Sequence, residues 1–442
     1  MTPHSGKNSL RILIAGAGIG GLTTALSLHA AGLDNVVLIE ACPRLRAVGA
    51  GLNLQPAAVR ELTELGLGEE LAAQAVATAR LEYHHRHGGL IWAEPRGRRA
   101  GYRWPQYSVH RARLQRILLR EVTRRLGPDA LITGRRLTGY EQHRAGGRRS
   151  VRAYVAGDPA PYTCDLLIGA DGINSVVRAV MYPREGPPIW NGICMWRGLS
   201  HAPPFLDGRT MVIVGCNSRV KAVVYPVSPP DESGRCTLNW VVETRSAAGR
   251  STVPPADWDC AVGPGNVLPH LAGWRIPFLD LHATIAAAPR VLRYPMIDRD
   301  PLPAWVAGRA VLLGDAAHPL YPTGSNGASQ AIVDARVLAH QLAHHDVDEA
   351  LTRYDRLRRP ETARLLTAHR RLEPDPLLHQ VEMLAPDGFS DIRDVLPDHK
   401  LADIRACTRK VTGVDAAGLN ARSSWSVPGR TVSACAWSTP SG

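Results

Sequence analysis

Lysine and phenylalanine are scarce: the 442 residues hold four lysines, Lys7, Lys221, Lys400 and Lys410, and three phenylalanines. The formal charge of +12 is therefore almost wholly arginine. No stretch interleaves basic and aromatic side chains as a nucleic-acid recognition module does, and biased codon usage is the simpler reading of the arginine excess. Paired cysteines are missing as well. The eight cysteines include no C-x-x-C pair, which leaves no signal for a zinc site, a disulfide framework or a redox pair and fits a reducing cytoplasm. Long apolar runs are few. The longest uncharged one, Ile12 to Leu33, is broken by glycines, which argues against a signal peptide or a membrane span. With 45% hydrophobic and 21% charged residues, the bulk of the chain has the composition of a folded protein.

What is present opens as an α/β pattern. A short apolar strand at Arg11–Ala15, a helical run at Leu22–Ala31 ended by Gly32, and a second strand at Val36–Glu40 form a βαβ unit. Pro56 starts a helix, and Leu114, Ile117, Leu118 and Val122 give Arg111–Leu126 helical spacing. Between them, Leu81–His85 and Leu90–Ala93 flank Gly88-Gly89 as a hairpin. Leu166–Ala170 is another apolar strand. From Ile189 to Tyr294 the texture is β-rich, with strands at Ile193–Leu199, Thr210–Val214, Val220–Val227 and Thr237–Val242. Ala310–Leu313 resumes the buried-strand pattern, Ala328–Leu342 is helical, and Asp346 with Glu349 caps a further helix to about Leu372. The stretch from Ala421 to Gly442, dense in Ser, Pro, Gly and Arg, predicts a frayed end.

Three segments carry chemistry. Gly16, Gly18 and Gly21 satisfy G-x-G-x-x-G, with Gly20 between them, after a strand and at the mouth of a helix. Such glycines allow the tight turn, the approach of backbone to a pyrophosphate and close helix packing, while the helix start offers free amides. Glu40 closes the second strand, where a carboxylate can accept from both ribose hydroxyls, so the dinucleotide is FAD or NAD rather than NADP. A glycine turn used only for packing is the alternative. The second segment runs from Asp165 to Arg178 and delivers Asp171-Gly172 from a strand to a helix start; in isolation Asp171 reads as a turn residue and N-cap. The third, Ala310 to Pro319, delivers Gly314-Asp315 to a loop, and Pro322, Thr323, Gly324, Ser325, Asn326 and Gly327 precede a long helix. Amides there could hold the electron-rich edge of a reduced ring, and an N-capping Asp315 is the plain alternative.

The set, in this order and spacing over about residues 10 to 372, resembles the single-component FAD-dependent aromatic hydroxylases of the p-hydroxybenzoate hydroxylase type, the group A flavoprotein monooxygenases. Gly51–Val59, Pro105–Arg111, Met195–Gly198 and Tyr294–Pro303 are similar to the phenazine-modifying branch typified by 5-methylphenazine-1-carboxylate 1-monooxygenase. One departure stands out: Ser325-Asn326-Gly327-Ala328-Ser329 replaces the wider family's Gly-Gln-Gly-x-Asn, a variation mostly shared by that branch.

The resemblance implies an α/β chain with a Rossmann-like FAD-binding fold, an interleaved antiparallel β-sheet substrate domain and C-terminal helices. Residues 10–188, with a small hairpin near 79–109 turned to the substrate side, would be the first part of the FAD domain; 189–296 the substrate domain; 297–374 the second FAD part; and 375–442 an extension, partly disordered. It implies Glu40 on the adenosine ribose, Leu52 among the cofactor contacts, Arg111 near the pyrophosphate and Asp171-Gly172 facing both FAD and NAD(P)H. Gly314 and Asp315 fall on the ribitol side, and Pro322, Gly324, Ser325, Asn326 and Gly327 beside the isoalloxazine.

The implied reaction takes one tightly held FAD, transient NAD(P)H and O2, and hydroxylates a planar polycyclic aromatic, such as a phenazine carboxylate with or without its decarboxylation, through a flavin C4a-hydroperoxide. No protein side chain is then named as catalytic, and His318 is expected as a structural or pocket-wall residue. Trp196, Tyr225, Trp240, Tyr294 and Tyr321 are candidate pocket walls, with core packing as the alternative for each, and Arg197 could pair with a substrate carboxylate or with an ordinary acid. The expected partners are small molecules without metal, nucleic acid or membrane, and the expected state is a monomer or homodimer in the cytoplasm. A reductase or oxidase without oxygen insertion is the rival enzyme, which usually carries a second glycine fingerprint that this chain lacks; a non-catalytic flavin- or nucleic-acid-binding protein is the rival from another class.

Overall fold

The computed structural model describes residues 10–45, 50–246, 260–322, 324, 326–372, 374–412 and 415–427. The βαβ opening is β1 (Ile12–Ala15), α1 (Ile19–Ala30) and β2 (Val36–Glu40), followed by α2 (Pro56–Glu64). A hairpin of β3 (Arg80–His84) and β4 (Leu90–Pro95) precedes α3 (Arg111–Leu126), β5 (Leu131–Thr133), β6 (Leu166–Gly169) and α4 (Val176–Met181). The β-rich stretch holds β7 (Ile189–Ala202), β8 (Thr210–Cys216), β9 (Val220–Pro226), β10 (Cys236–Arg245), β11 (Ala261–Val262) and β12 (Val291–Asp298). Then come β13 (Val306–Ala307), β14 (Ala310–Leu312), α5 (Gly327–His344), α6 (Val347–Arg371), α7 (Pro376–Leu384), α8 (Asp398–Thr412) and α9 (Ala416–Ala421).

Six strands in the order β13-β14-β6-β1-β2-β5 make the first sheet, parallel except at β13·β14. Strands β1, β6 and β14 are apolar at every position because they are buried in one core, which they share with helices α1 and α5 and with Leu137, Tyr140, Val151 and Ala153 of a small antiparallel sheet. Gly32 ends α1 in the left-handed region at φ +78°, where a side chain would be strained.

The second sheet has eight strands, β11-β12-β7-β10-β9-β8-β3-β4. It is antiparallel with one exception: β8 pairs with β3 in parallel, from Thr210 opposite Arg80 to Val214 opposite His84. The hairpin is thus an integral part of the sheet, added to its edge from a distant stretch of chain. Two smaller sheets, Gly51–Leu54 with Gln106–His110 and Val76–Thr78, and Leu137–Ala145 with Arg148–Val155 and Tyr162–Cys164, complete the strands.

Residue parity divides the large sheet. Trp196, Val212, Val214, Val224, Trp240 and Val242 face one core, with Leu281 and Ile285 beneath. The neighbours of alternate parity face the first sheet's side. Much of the extension that begins at 375 is packed. Leu377, Leu378, Val381, Leu396 and Leu401 pack on Leu81, Tyr83, Ile91 and Cys216 as a third core. The frayed end expected from Ala421 is instead held as far as Val427: Trp425 packs on the first core, and its N–H points to Glu61 at 3.3 Å. Positions 428–442 lie outside the described residues. Among the described residues no helix is long and apolar enough to cross a membrane, and no group of three His, Cys, Asp or Glu side chains is placed to hold a metal ion.

Candidate active site

A cavity of about 990 Å³ lies between the glycine-rich turn, the start of α5 and the large sheet. The three fingerprint glycines do separate jobs. A Cβ on Gly16, at φ +103°, would stand 2.4 Å from the Ala170 carbonyl oxygen, and one on Gly21 would stand 1.9 Å from the Gly16 carbonyl oxygen. At Gly18 a Cβ would meet nothing within 4 Å, because that atom would point into the cavity. Gly18 is the N-cap of α1 and offers no side-chain cap, so the first amides of the helix are free for an anion. Gly20 lines the cavity too, while Gly21 stands behind it. Glu40 reaches the same wall: its Oε2 accepts from the Ala17 N–H and its Oε1 from the Cys42 N–H, each at 2.9 Å. Its remaining lone pairs are open to a hydroxyl. Arg111 and Leu52 line the cavity nearby.

Asp171 does two things. Its Oδ2 accepts from Val176 N at 2.7 Å, capping α4, and Gly172 beside it turns at φ +79°. Its Oδ1 is buried without a hydrogen-bond partner, and burial raises the carboxyl above the usual range despite those amides. Asp315 sits at the cavity's inner end, open to its space yet enclosed by protein. Burial raises this carboxyl as well, with His318 and Arg111 opposing the rise and Asp334 adding to it.

Beneath Asp315 lies a network that fixes the Gly314 turn. Asp334 accepts from Gly314 N at 3.0 Å and from Arg358 Nε at 2.7 Å, and pairs with His318. His318 stacks on Trp305 with ring centres 5.1 Å apart and lies behind the cavity wall, a structural place. Pro322, Gly324, Asn326 and Gly327 line the cavity at the start of α5, whose N-cap Asn326 makes no capping bond. Gln55 ties this turn down, donating from Nε2 to the Gly324 carbonyl at 2.9 Å. Ser325 lies outside the described residues.

The floor is the exposed-parity face of the large sheet: Leu81, Tyr83, Met211, Ile213, Val223, Tyr225, Val241, Arg197, Lys221 and Glu243. Burial pushes the Tyr225 hydroxyl up to about 12, so it is a neutral donor. Of the six expected pocket residues, only Arg197 and Tyr225 line the cavity. Trp196 and Trp240 stand one residue out of phase and point into the opposite core, where their indole N–H groups donate to Thr244 Oγ1 and Ser200 Oγ, each at 3.0 Å. Tyr294 and Tyr321 pack beside the floor with Ile193, Met195 and Met296 rather than on it.

Comparison with known proteins then settles the class. An FAD binding domain family model matches residues 9–248 and 297–369. The chain is 44% identical over 362 residues to the phenazine 1,6-dicarboxylic acid hydroxylase PhzS of Lysobacter antibioticus, covering 81% of this chain and 89% of that protein. A salicylate hydroxylase of Pseudomonas putida is 32% identical, with 81% and 83% covered. The chain belongs to the FAD-dependent aromatic hydroxylases. Its fold is also that of Klebsiella pneumoniae HpxO, solved with FAD and uric acid: the TM-score is 0.69 at 23% identity, covering 94% of this chain and 96% of that one.

For this hydroxylase, then, the cofactor is FAD, and NAD(P)H is the co-substrate of its class. The cavity fits a dinucleotide in its own geometry: two uncapped helix starts, one bare glycine and one ribose-ready carboxylate face a single space. Sequence reasoning missed Lys221 and Glu243, and missed the wall contributed by Asp415, Gly418, Leu419 and Arg422. Strand parity would have pointed to the first pair. No local signal marks the wall, which depends on where a distant tail docks.

Proposed function

We propose that this hydroxylase acts on a planar polycyclic aromatic carboxylate of the phenazine kind. The observation that carries the reading is Arg197, a half-buried guanidinium facing the cavity, whose buried Nε has no hydrogen-bond partner. No carboxylate among the described residues forms an ion pair with it. An unpaired cation over an apolar floor is costly, and an incoming carboxylate supplies the missing partner in a bidentate geometry. Leu81, Tyr83, Met211, Ile213 and Val223 offer a broad apolar surface for fused rings. The names of the relatives, a phenazine dicarboxylate hydroxylase and a salicylate hydroxylase, agree with an aromatic acid.

The residue roles follow. Gly18 and the start of α1 receive the pyrophosphate, Glu40 the adenosine ribose, and Arg111 the phosphate charge. Asp171-Gly172, Gly314-Asp315 and the turn from Pro322 to Gly327 flank the ribitol and ring. Bound FAD, reduced by NAD(P)H, supplies the activation of O2 and the transfer of one oxygen atom to the substrate ring. The protein's share is to orient the ring through Arg197, to exclude water with the sheet floor and tail wall, and to offer the neutral Tyr225 hydroxyl as a donor. Residues 10–188 with 297–374 form the cofactor part, and 189–296 with the hairpin the substrate part; the separate cores on the two sides support this division.

The test is NAD(P)H and O2 consumption by purified holoenzyme over phenazine, naphthoate and salicylate acids, with product masses. A phenazine carboxylate should give tight coupling and a product that gains one oxygen or exchanges carboxylate for hydroxyl. Peroxide alone from every phenazine acid would refute the reading.

A further inference from the structure

The pairing register places charge on the cavity floor with unusual definition. Glu243 on β10 lies opposite Lys221 on β9 and opposite Met195 on β7, so it occupies the middle of one cross-strand row. Arg197 lies two residues along β7 from Met195, opposite Val241, which makes it the diagonal neighbour of Glu243 at about 7 Å. All three charged side chains face the cavity. Lys221 Nζ stands 2.8 Å from Glu243 Oε2, with the two side chains 9% and 5% exposed. Asn217 Nδ2 donates to the same oxygen at 3.1 Å, so the carboxylate is held in place. This row therefore carries two cations and one anion, while Glu94 on the edge strand is neutralised by Arg96. Glu243 is committed to Lys221, and one positive charge is left over on Arg197.

We propose that Glu243 sets the charge count of this floor, so that the hydroxylase favours an aromatic monocarboxylate over a dicarboxylate. This rests on the reading of Arg197 as the substrate's anion partner. A monoanion brings the row to neutrality; a dianion leaves one uncompensated negative charge beside Glu243, where the neighbouring floor residues Met211, Ile213, Val223 and Val241 are apolar. A buried ion pair adds little to stability over apolar residues of the same size, so a pair facing a substrate cavity is better explained by what it admits. Glu243 is thus a specificity-determining residue and takes no part in bond making.

The experiment compares wild type, Glu243→Gln, Lys221→Met and Arg197→Met as FAD-loaded proteins. Each is titrated with phenazine, phenazine-1-carboxylate and phenazine-1,6-dicarboxylate, reading Kd from the flavin absorbance change, with kcat/KM measured alongside. Glu243→Gln keeps the amide-sized volume and the Asn217 contact but removes the charge; it should raise the preference for dicarboxylate over monocarboxylate by about tenfold and leave neutral phenazine unmoved. Lys221→Met should weaken both acids, the dicarboxylate more. An unchanged dicarboxylate to monocarboxylate ratio in Glu243→Gln overturns the proposal. Should that variant lose FAD, Lys221→Met decides: equal effects on phenazine and on both acids overturn it, and a loss confined to the acids and greatest for the dicarboxylate supports it. Arg197→Met separates the two levels. If it weakens both acids against neutral phenazine while Glu243→Gln changes nothing, only the charge-count inference fails; if it leaves acids and phenazine alike, the substrate reading fails as well.

Discussion

Gly18 and Gly21 stand three residues apart and meet different constraints. At Gly21 an added methyl would press on the Gly16 carbonyl oxygen at 1.9 Å, so α1 must move away from the turn. Gly21→Ala should destabilise the apoprotein by at least about 2 kcal/mol, as overpacking of a tight contact does. Gly18→Ala has open space around it and should cost the apoprotein no more than about 1 kcal/mol, the penalty of alanine at an N-cap, while the methyl occupies the approach to the helix amides and weakens FAD retention. Thermal unfolding without cofactor, set beside FAD titration, distinguishes the two.

Asp315 tests the cost of placing a carboxylate in the cavity. Its folded-state carboxyl is raised by burial, so folding favours the protonated form. The stability it permits is present below the ordinary carboxylate range and is lost as pH rises through the raised value. Asp315→Asn should therefore raise the apoprotein Tm at neutral pH, with the gain vanishing in acid, and at the same time loosen FAD. Parallel loss of both would show that the carboxylate is structural.

At the scale of elements, the tail is the part that changes the picture of the site. The carbonyls at the end of α9 and beyond dock on one guanidinium: Arg60 Nη1 donates to Leu419 O at 3.3 Å and to Arg422 O at 2.9 Å, with Glu61 holding the same arginine. Asn420 adds a bond to the Gly101 carbonyl at 2.7 Å. Arg60→Met should release this segment and speed proteolytic cleavage after α8 by about tenfold, the loss of roughly 1–2 kcal/mol of charge-assisted hydrogen bonds. Coupling of NAD(P)H oxidation to product should fall with it, because Leu419 and Arg422 form part of the cavity wall.

Much of the frame was legible at this scale, and the reason is local. A strand, a glycine turn and a helix follow one another within a few residues around Gly16, and the same holds around Asp171 and Asp315. The sheet floor was legible only in part. Aromatic residues were taken as walls by type, yet a period-two strand sends Trp196 and Arg197 to opposite faces, and which face meets the cofactor depends on pairing with strands far away in the chain. The strands at 137–164 were legible only in part: Leu137–Ala145 is largely exposed and polar, so its alternation is faint, whereas Val151, Ala153 and Val155 alternate with exposed residues in a stretch that the sequence reading passed over. The docked tail had no signal at all beyond helical spacing.

At the scale of the molecule, the arginine excess acquires a structural use. Arg60, Arg178, Arg336 and Arg358 are each 2% exposed or less, and several bridge elements that a lysine could not span. Arg178 donates from α4 to Glu185, to the carbonyls of Ala316 and Ala317 at 3.1 and 3.0 Å, and to the Asp300 carbonyl at 3.1 Å. It thereby ties the Gly314-Asp315 loop to the strand end at Asp298. Arg178→Lys should cost about 3 kcal/mol, since an ammonium cannot serve a fork of this width and the buried acceptors lose their donors. Chemical denaturation of the apoprotein measures it. Surface arginines, by contrast, bear on solubility.

The small sheet that begins at Gly51 meets the large sheet where the Gly51 N–H donates to Asn239 Oδ1 at 2.6 Å. That contact, like the pairing of β6 with β14, joins segments separated by more than a hundred residues. The consequence concerns the ribosome. As the chain emerges, β6 is complete at Gly169, but the strand that covers its flank begins only at Ala310, after the whole large sheet has been made. For that interval an apolar strand edge waits unpaired, which is the condition that invites mispairing in nascent chains. The end of the cavity at Asp315 cannot form until synthesis has passed it.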